Sequence, residues 1–254
     1  MDIFINILTP ILCLLFGYIL GSIPFAVVIG KLFFHQDPRD LGSKNAGGTN
    51  AGRLWGKKIG VLVIILDMIK TIAPMYICWA ILTFAIKVDG KPLCCPTEIY
   101  YTAERANYII IWPVYLLANI GSAFGHCFPC FAKFKGGKAV SAFMGTLLGS
   151  SWGLGWVPAS LFYFEFLKKT KYVSLTSMVF AGISVVVTWT WAILGLTNVI
   201  PSEYRWIVMY GPSINPSWHY ALMITIIAIL MVIRHKENIK RLHEGTERKI
   251  KWMK

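Results

Sequence analysis

Three polar runs interrupt a very apolar chain, and each carries groups suited to gripping an oxyanion. Gly42 to Arg53 reads G-S-K-N-A-G-G-T-N-A-G-R, Lys133 to Lys138 reads K-F-K-G-G-K, and Arg234 to Glu247 reads R-H-K-E-N-I-K-R-L-H-E-G-T-E. In the first, the glycines at 42, 47, 48 and 52 free the backbone to turn amides toward phosphate. Ser43, Asn45, Thr49 and Asn50 add neutral donors, and Arg53 offers a two-pronged hydrogen bond. In the second, Lys133, Lys135 and Lys138 surround Gly136-Gly137 just before an apolar segment, so point charges stand beside the amides of a helix start. It is not a nucleotide-binding P-loop, because Ala139 follows Lys138 and the glycine spacing differs. Basic loops between membrane helices have a similar composition, so neither run alone specifies a site.

In the third run, His235 and Asn238 lie three apart and share one face of a helix leaving the last apolar segment. Histidine can act as base toward a hydroxyl near neutral pH and an asparagine amide can orient it. A histidine at a helix C-terminus also complements the dipole with no chemical role. Asp67 and Lys70 are again three apart, inside an apolar span, where each unpaired would cost about 2.5–3.5 kcal/mol. They are expected to pair or to face a polar centre. His35 to Asp40 (H-Q-D-P-R-D) matches the H-x-x-x-x-D pattern of thioester-using acyltransferases, but Pro38 lies inside it and no companion motif follows, so it reads as coincidence.

These motifs need a scaffold, and composition indicates its kind. Of 254 residues, 56% are hydrophobic and 15% charged, and mean hydropathy is +0.59, which fits an all-α polytopic membrane protein forming one domain. About 20 apolar residues span a bilayer core. Candidate spans are 3–33, 59–86, 107–126, 138–150, 154–167, 174–196 and 218–233. The stretch 138–167 is divided at G-S-S-W-G-L-G (149–155), because an unbroken helix there would be about 45 Å long against a core of about 30 Å. Seven spans place 20 of the 25 lysines and arginines on one side, with Lys87, Lys91, Arg105 and Arg205 opposite. By the positive-inside rule the N terminus is outside, the C terminus is cytoplasmic, and all three motifs share the cytoplasmic face.

The net charge of +13 therefore points to anionic substrates and anionic membrane lipid, and no nucleic-acid partner is expected. The tail 240–254, with Leu242, Ile250, Trp252 and Met253 among basic residues, reads as interfacial. The first apolar stretch has no basic lead-in and is read as a retained helix. Cys13 and Cys78 sit in apolar spans, Cys94 and Cys95 in a loop, and the single pair Cys127 and Cys130 gives poor support for a metal, so none is expected. The outer loops 87–107 and 197–217 read as elaborations.

Taken jointly, the motifs resemble the bacterial acyl-phosphate:glycerol-3-phosphate acyltransferases, the PlsY family. The likeness runs through G-S-I-P-F from Gly21, S-x-N-x-G-x-T-N-x-x-R from Ser43, and G-K-K-x-G with L-D-x-x-K ending at Lys70. It continues through G-H-x-F-P-x-F-x-K-F-K-G-G-K from Gly125, V-S-L-T-S from Val173, and R-H-x-x-N-I-x-R-L-x-x-G-x-E from Arg234. The resemblance implies seven helices and transfer of a fatty acyl group from acyl phosphate to the 1-hydroxyl of glycerol 3-phosphate. Lysophosphatidic acid and phosphate result, with no cofactor and no acyl-CoA or acyl carrier protein as direct donor. It implies that Ser43, Arg53 and Lys138 hold the glycerol phosphate and that His235 and Asn238 orient its hydroxyls. The Gly136-Gly137 backbone with Thr49 and Asn50 would receive acyl phosphate, Lys135 would be a further substrate-binding residue, and Ser174, Ser177 and Glu247 would act in support.

Lys44, Ala46 and Gly48 depart from the family's usual S-G-N-P-G-A-T-N, and Ala139 and Ser141 from its usual residues after K-G-G-K. Acyl phosphate is a mixed anhydride with a good leaving group, so its transfer needs positioning and charge stabilisation more than a protein nucleophile. The competing class is a membrane carrier for an anionic solute, suggested by Asp67 and Lys70 within a span. No inverted halves are evident in its favour.

Overall fold

The computed structural model describes residues 2–96, 103–150, 163–197 and 217–250, and these divide into two compact units, 1–146 and 147–254. Helix α1 (Asp2–Gly21) opens the first unit and bears a row of outward apolar side chains, Ile3, Phe4 and Ile7 being 78%, 68% and 59% exposed. In water such a face would be a liability, whereas in lipid it is the solvated side. The apolar stretch 3–33 is expected to be one helix but is broken at Ser22–Pro24, beyond which α2 (Phe25–Phe33) begins. Pro24 supplies no N–H and disfavours helix at Ile23. The Ile23 carbonyl left over by the break accepts a hydrogen bond from Lys70 Nζ at 2.6 Å.

A loop then leads to α3 (Gly48–Trp55) and, past Gly56 at φ +93°, to α4 (Lys57–Ala80), which continues as a π-helical turn Ile81–Ala85. Helices α3 and α4 approach so closely that a Cβ on Gly60 would lie 2.6 Å from the Gly52 Cα. Some glycines read from sequence as phosphate-loop residues thus serve helix packing. The loop after α4 contains a short hairpin, β1 (Lys87–Val88) and β2 (Lys91–Pro92), turned by Asp89 and Gly90, both at positive φ. This hairpin and an isolated bridge between Cys94 and Ile110 depart from an all-helical reading.

The third expected span, 107–126, is helical only from Leu116, as α5 (Leu116–Cys127). Pro113 and a bridge from Ile110 to Cys94 hold the preceding residues out of the helix. Between α4 and α5 the interior is polar. Lys70 pairs with Asp67 at 2.8 Å, Ser122 Oγ donates to the Lys70 carbonyl at 2.8 Å, and Asn119 Nδ2 to the Thr71 carbonyl at 3.3 Å. The expected pairing of Asp67 with Lys70 is therefore observed, fully buried, as intramembrane charges require.

Helix α6 (Val140–Ser150) crosses the boundary between the units. In the second unit come α7 (Phe164–Thr170), α8 (Val173–Leu196), α9 (Trp218–Arg234) and α10 (Lys236–His243). Helices α8 and α9 pack together, with Trp189 Nε1 donating to Thr225 Oγ1 at 3.0 Å. The chain turns by 56° at His235 between α9 and α10. Most of the expected span 154–167, its glycine break and the loop 197–217 lie outside the described residues. Among those described, Ile3–Phe33, Lys57–Ala85 and Val173–Leu196 are long and apolar enough to cross a membrane, and the bent α9–α10 pair is a fourth only if it forms a single span. Leu116–Ala132 and Val140–Ser150 are shorter apolar helical stretches.

Candidate active site

The glycine-rich loop is organised by one buried side chain. Asn50, 1% exposed, accepts from the Ser43 amide through Oδ1 at 2.8 Å. Its Nδ2 donates to the carbonyls of Pro38 (2.7 Å), Leu41 (3.1 Å) and Asn45 (3.1 Å). With its amide so engaged, Asn50 shapes the loop, while Ser43, Thr49 and Arg53 are left exposed on it. Thr49 and Arg53 stand four apart on α3, on one exposed face.

A neighbouring arginine ties this loop to the lysine-rich one. Arg39 grips Asp37 with Nε at 2.9 Å and Nη2 at 2.6 Å, and its Nη1 donates to the Ala132 carbonyl at 2.7 Å. The Arg39 hydrogen bonds hold the Asp37 carboxyl below its usual range. Asp37 is thus paired within the loop, and His35 and Asp40 of the H-x-x-x-x-D string are both exposed. The lysine-rich loop itself is contorted, with Lys133, Phe134 and Ala139 all at positive φ. Lys133 and Lys135 are exposed, Lys138 is half-buried, and Gly136 and Gly137 are buried. The Gly137 amide donates to the His126 carbonyl at 2.9 Å, so it braces the loop from within.

The second unit holds the remaining candidates. His235 is buried, closing α9, and its Nδ1 lies 2.7 Å from the Met231 carbonyl. A carbonyl only accepts, so Nδ1 carries the proton and the lone pair of the neutral ring is on Nε2. Asn238 Nδ2 donates to Glu247 Oε1 at 2.7 Å, Ser174 Oγ to the same oxygen at 2.8 Å, and Arg241 Nε to Oε2 at 2.8 Å. Glu247 therefore fixes Asn238 and fastens α10 to the start of α8. The segment after it is held too: the Ile250 amide donates to the Lys171 carbonyl at 2.9 Å and Lys249 Nζ sits 5.2 Å above the Tyr172 ring. Ser177 is buried on α8, bonded to the Val173 carbonyl at 2.8 Å.

Burial alone would raise the Glu247 pKa, but hydrogen bonds from Asn238, Ser174 and Arg241 outweigh it and hold the carboxyl below its ordinary value of 4.5. A depressed folded-state pKa contributes stability above the unfolded value and loses it as pH falls through the folded one. Wild-type protein is thus expected to lose thermal stability below pH 4.5 relative to Glu247→Gln, whose deficit at neutral pH should shrink on acidification. Melting curves at a series of pH values check this; parallel curves would remove the carboxylate from its role.

The sites thus fall into two groups: Ser43, Thr49, Asn50, Arg53, Lys135, Gly136, Gly137 and Lys138 in the first unit, and Ser174, Ser177, His235, Asn238 and Glu247 in the second. Sequence reasoning assigned nothing to Arg39, His126 or Arg241. Arg39 lay inside the H-Q-D-P-R-D string read as coincidence, and Arg241 and His126 were letters of motifs quoted for the resemblance without a role of their own.

The glycerol-3-phosphate acyltransferase family matches residues 11–245. A protein of that name from Mycoplasmopsis synoviae (strain 53) is 31% identical over 255 residues, covering 100% of both chains. Another from Staphylococcus carnosus (strain TM300) is 33% identical over 243 residues, 96% of this chain and 98% of the relative. Among solved structures, the glycerol 3-phosphate form of PlsY, described as an integral membrane glycerol 3-phosphate acyltransferase, is 26% identical with a TM-score of 0.64, covering 95% of this chain and 96% of that one. Its lysophosphatidic acid form has a TM-score of 0.66.

Proposed function

Because the chain belongs to the glycerol-3-phosphate acyltransferase family, we propose that it is an integral membrane enzyme acylating glycerol 3-phosphate, with acyl phosphate as donor and lysophosphatidic acid as product. The observation carrying this reading is the preset pair in the second unit. His235 has its ring proton committed to the Met231 carbonyl, and Asn238 is held by Glu247, so the pair suits a neutral hydroxyl substrate. Ser43, Arg53 and Lys138 are assigned to the phosphate of glycerol 3-phosphate. Thr49, Lys135 and the backbone around Gly136 are assigned to acyl phosphate, while Asn50 acts by shaping the loop. Ser174 and Glu247 act through Asn238, and Ser177 supports the start of α8.

The 1-hydroxyl oxygen attacks the acyl carbonyl, the new ester C–O bond forms, and the bond to the phosphate oxygen breaks to release inorganic phosphate. The hydroxyl proton passes to His235 Nε2 or to the acceptor's own phosphate. Cationic side chains and loop amides stabilise the negative charge that gathers on the departing group. No serine or cysteine nucleophile is required, because the anhydride is already activated.

The reading extends to seven spans with the N terminus outside and the active site on the cytoplasmic face of the cell membrane, supported by the one-sided placement of lysine and arginine. Purified protein given glycerol 3-phosphate is expected to form lysophosphatidic acid and phosphate from acyl phosphate, and no product from acyl-CoA. Product from the thioester alone would overturn the donor assignment, and uptake into vesicles without product would favour the carrier.

A further inference from the structure

His126 has no part in the reading above, yet it is packed where that reading needs rigidity. It is 4% exposed near the end of α5, and two of its groups meet the glycine pair. Its carbonyl accepts the Gly137 amide at 2.9 Å. Its imidazole lies so close that a Cβ on Gly137 would run into Nε2 and would stand only 2.6 Å from Cε1. A Cβ on Gly136 would likewise strike the His126 carbonyl oxygen, and would lie 2.5 Å from Cδ of Pro129. The glycines are thus small because the backbone rests directly on this residue.

The other side of the ring faces charge. His126 Nδ1 stands 3.6 Å from Asp67 Oδ1, too far for a hydrogen bond but close enough for electrostatic steering, and Lys70 holds the same oxygen at 2.8 Å. Lys70 is itself fixed by the Ile23 carbonyl at the break between α1 and α2. A continuous set of contacts therefore runs from that break, through the ion pair, to the loop. The loop needs such support, because Lys133 and Phe134 within it and Ala139 just after it are all at positive φ, a region unfavourable to any residue with a Cβ. Strained backbone of this kind persists only where its surroundings over-determine it.

We propose that His126 is a positioning residue: its imidazole, steered by the Asp67–Lys70 pair, is the surface on which the Gly136-Gly137 backbone is laid, and it sets the phosphate-binding shape of the Lys133–Lys138 loop. This rests on the reading that the loop binds a substrate phosphate. Activity of the full purified chain is measured with acyl phosphate and glycerol 3-phosphate varied separately, for Gly137→Ala, His126→Ala, the double variant and Lys138→Ala, with melting temperatures alongside. Gly137→Ala is expected to raise the KM of at least one phosphate substrate by about tenfold, and adding His126→Ala to reverse most of that rise, because the added methyl then has room. Losses that multiply in the double variant would overturn the inference, as would suppression seen only in melting temperature with both KM values unmoved.

His126→Gln and His126→Asn provide a second reading where alanine impairs folding. Glutamine reaches the position of Nε2 against Gly137 and should keep KM within about threefold of wild type, whereas asparagine reaches only Nδ1 and should behave like alanine. Equal behaviour of the two overturns the positioning role. If Lys138→Ala leaves both KM values unchanged, the phosphate reading of the loop falls and takes this inference with it. If Lys138→Ala raises a KM while the His126 and Gly137 effects multiply, the inference alone falls.

Discussion

Replacing His235 by asparagine is expected to lower kcat by about 10²- to 10⁴-fold, the usual contribution of a positioned general base, while leaving the melting temperature near that of wild type. The two effects separate because the two ring nitrogens have different tasks. Nδ1 bonds the Met231 carbonyl at 2.7 Å, and an asparagine amide placed at the same distance along the side chain can keep that bond. Nothing in asparagine reaches the position of Nε2, where the neutral ring carries its lone pair. Steady-state kinetics with each substrate varied decide the matter. A raised KM for glycerol 3-phosphate with kcat intact would make His235 a binding group and leave the proton to the acceptor's phosphate.

Gly121→Ile is expected to prevent assembly of the first unit, an effect larger than the about 1–3 kcal/mol typical of an overpacked core. Helices α1 and α5 meet through two interlocking small-residue pairs, Gly17 with Gly21 and Gly121 with Gly125. A Cβ on Gly121 would collide with the Leu14 carbonyl oxygen and stand 3.0 Å from the Tyr18 nitrogen, and these are backbone atoms that no rotamer change can move aside. Between helices in a bilayer, such close approach and its van der Waals contact replace the hydrophobic drive available in water. Size-exclusion profiles and melting curves in detergent check this, with Gly182→Ala as control, since a Cβ there meets nothing within 4 Å. A Gly121→Ile protein that melts like the control would refute the packing role.

The spacing behind this packing was in plain view: Gly17 to Gly21 and Gly121 to Gly125 are both G-x-x-x-G strings in apolar stretches. Hydropathy found the stretches without saying which two would pair, since many apolar helices can face one another. The third span shows a related limit. Its apolar run begins near residue 107, but Pro113 and the bridge between Cys94 and Ile110 delay the helix to Leu116. Asp89-Gly90 signalled the small hairpin and was passed over inside a loop.

At the candidate site, residue types suggested an anion-handling role, and local spacing did not announce which partners each side chain would take. Asn50, grouped by sequence with the phosphate donors, spends its amide on four backbone groups of its own loop. Glu247, given only a supporting part, joins Asn238, Arg241 and Ser174, the last 73 residues away. His126 looked like one letter of a motif and is the wall behind the glycine pair.

Amino-acid order alone was sufficient for the membrane class, the family, the polar glycine- and lysine-rich runs that break the apolar chain, and the expectation that Asp67 and Lys70 would pair or face a polar centre. Those features rest on composition, on motif strings, or on neighbours three and four apart, which a helix brings together whatever else the chain does. Tertiary structure decided which polar groups are spent on holding loops and which are left facing outward. That division depends on close approach between remote backbones, and a side chain's chemistry is the same before and after its partner arrives.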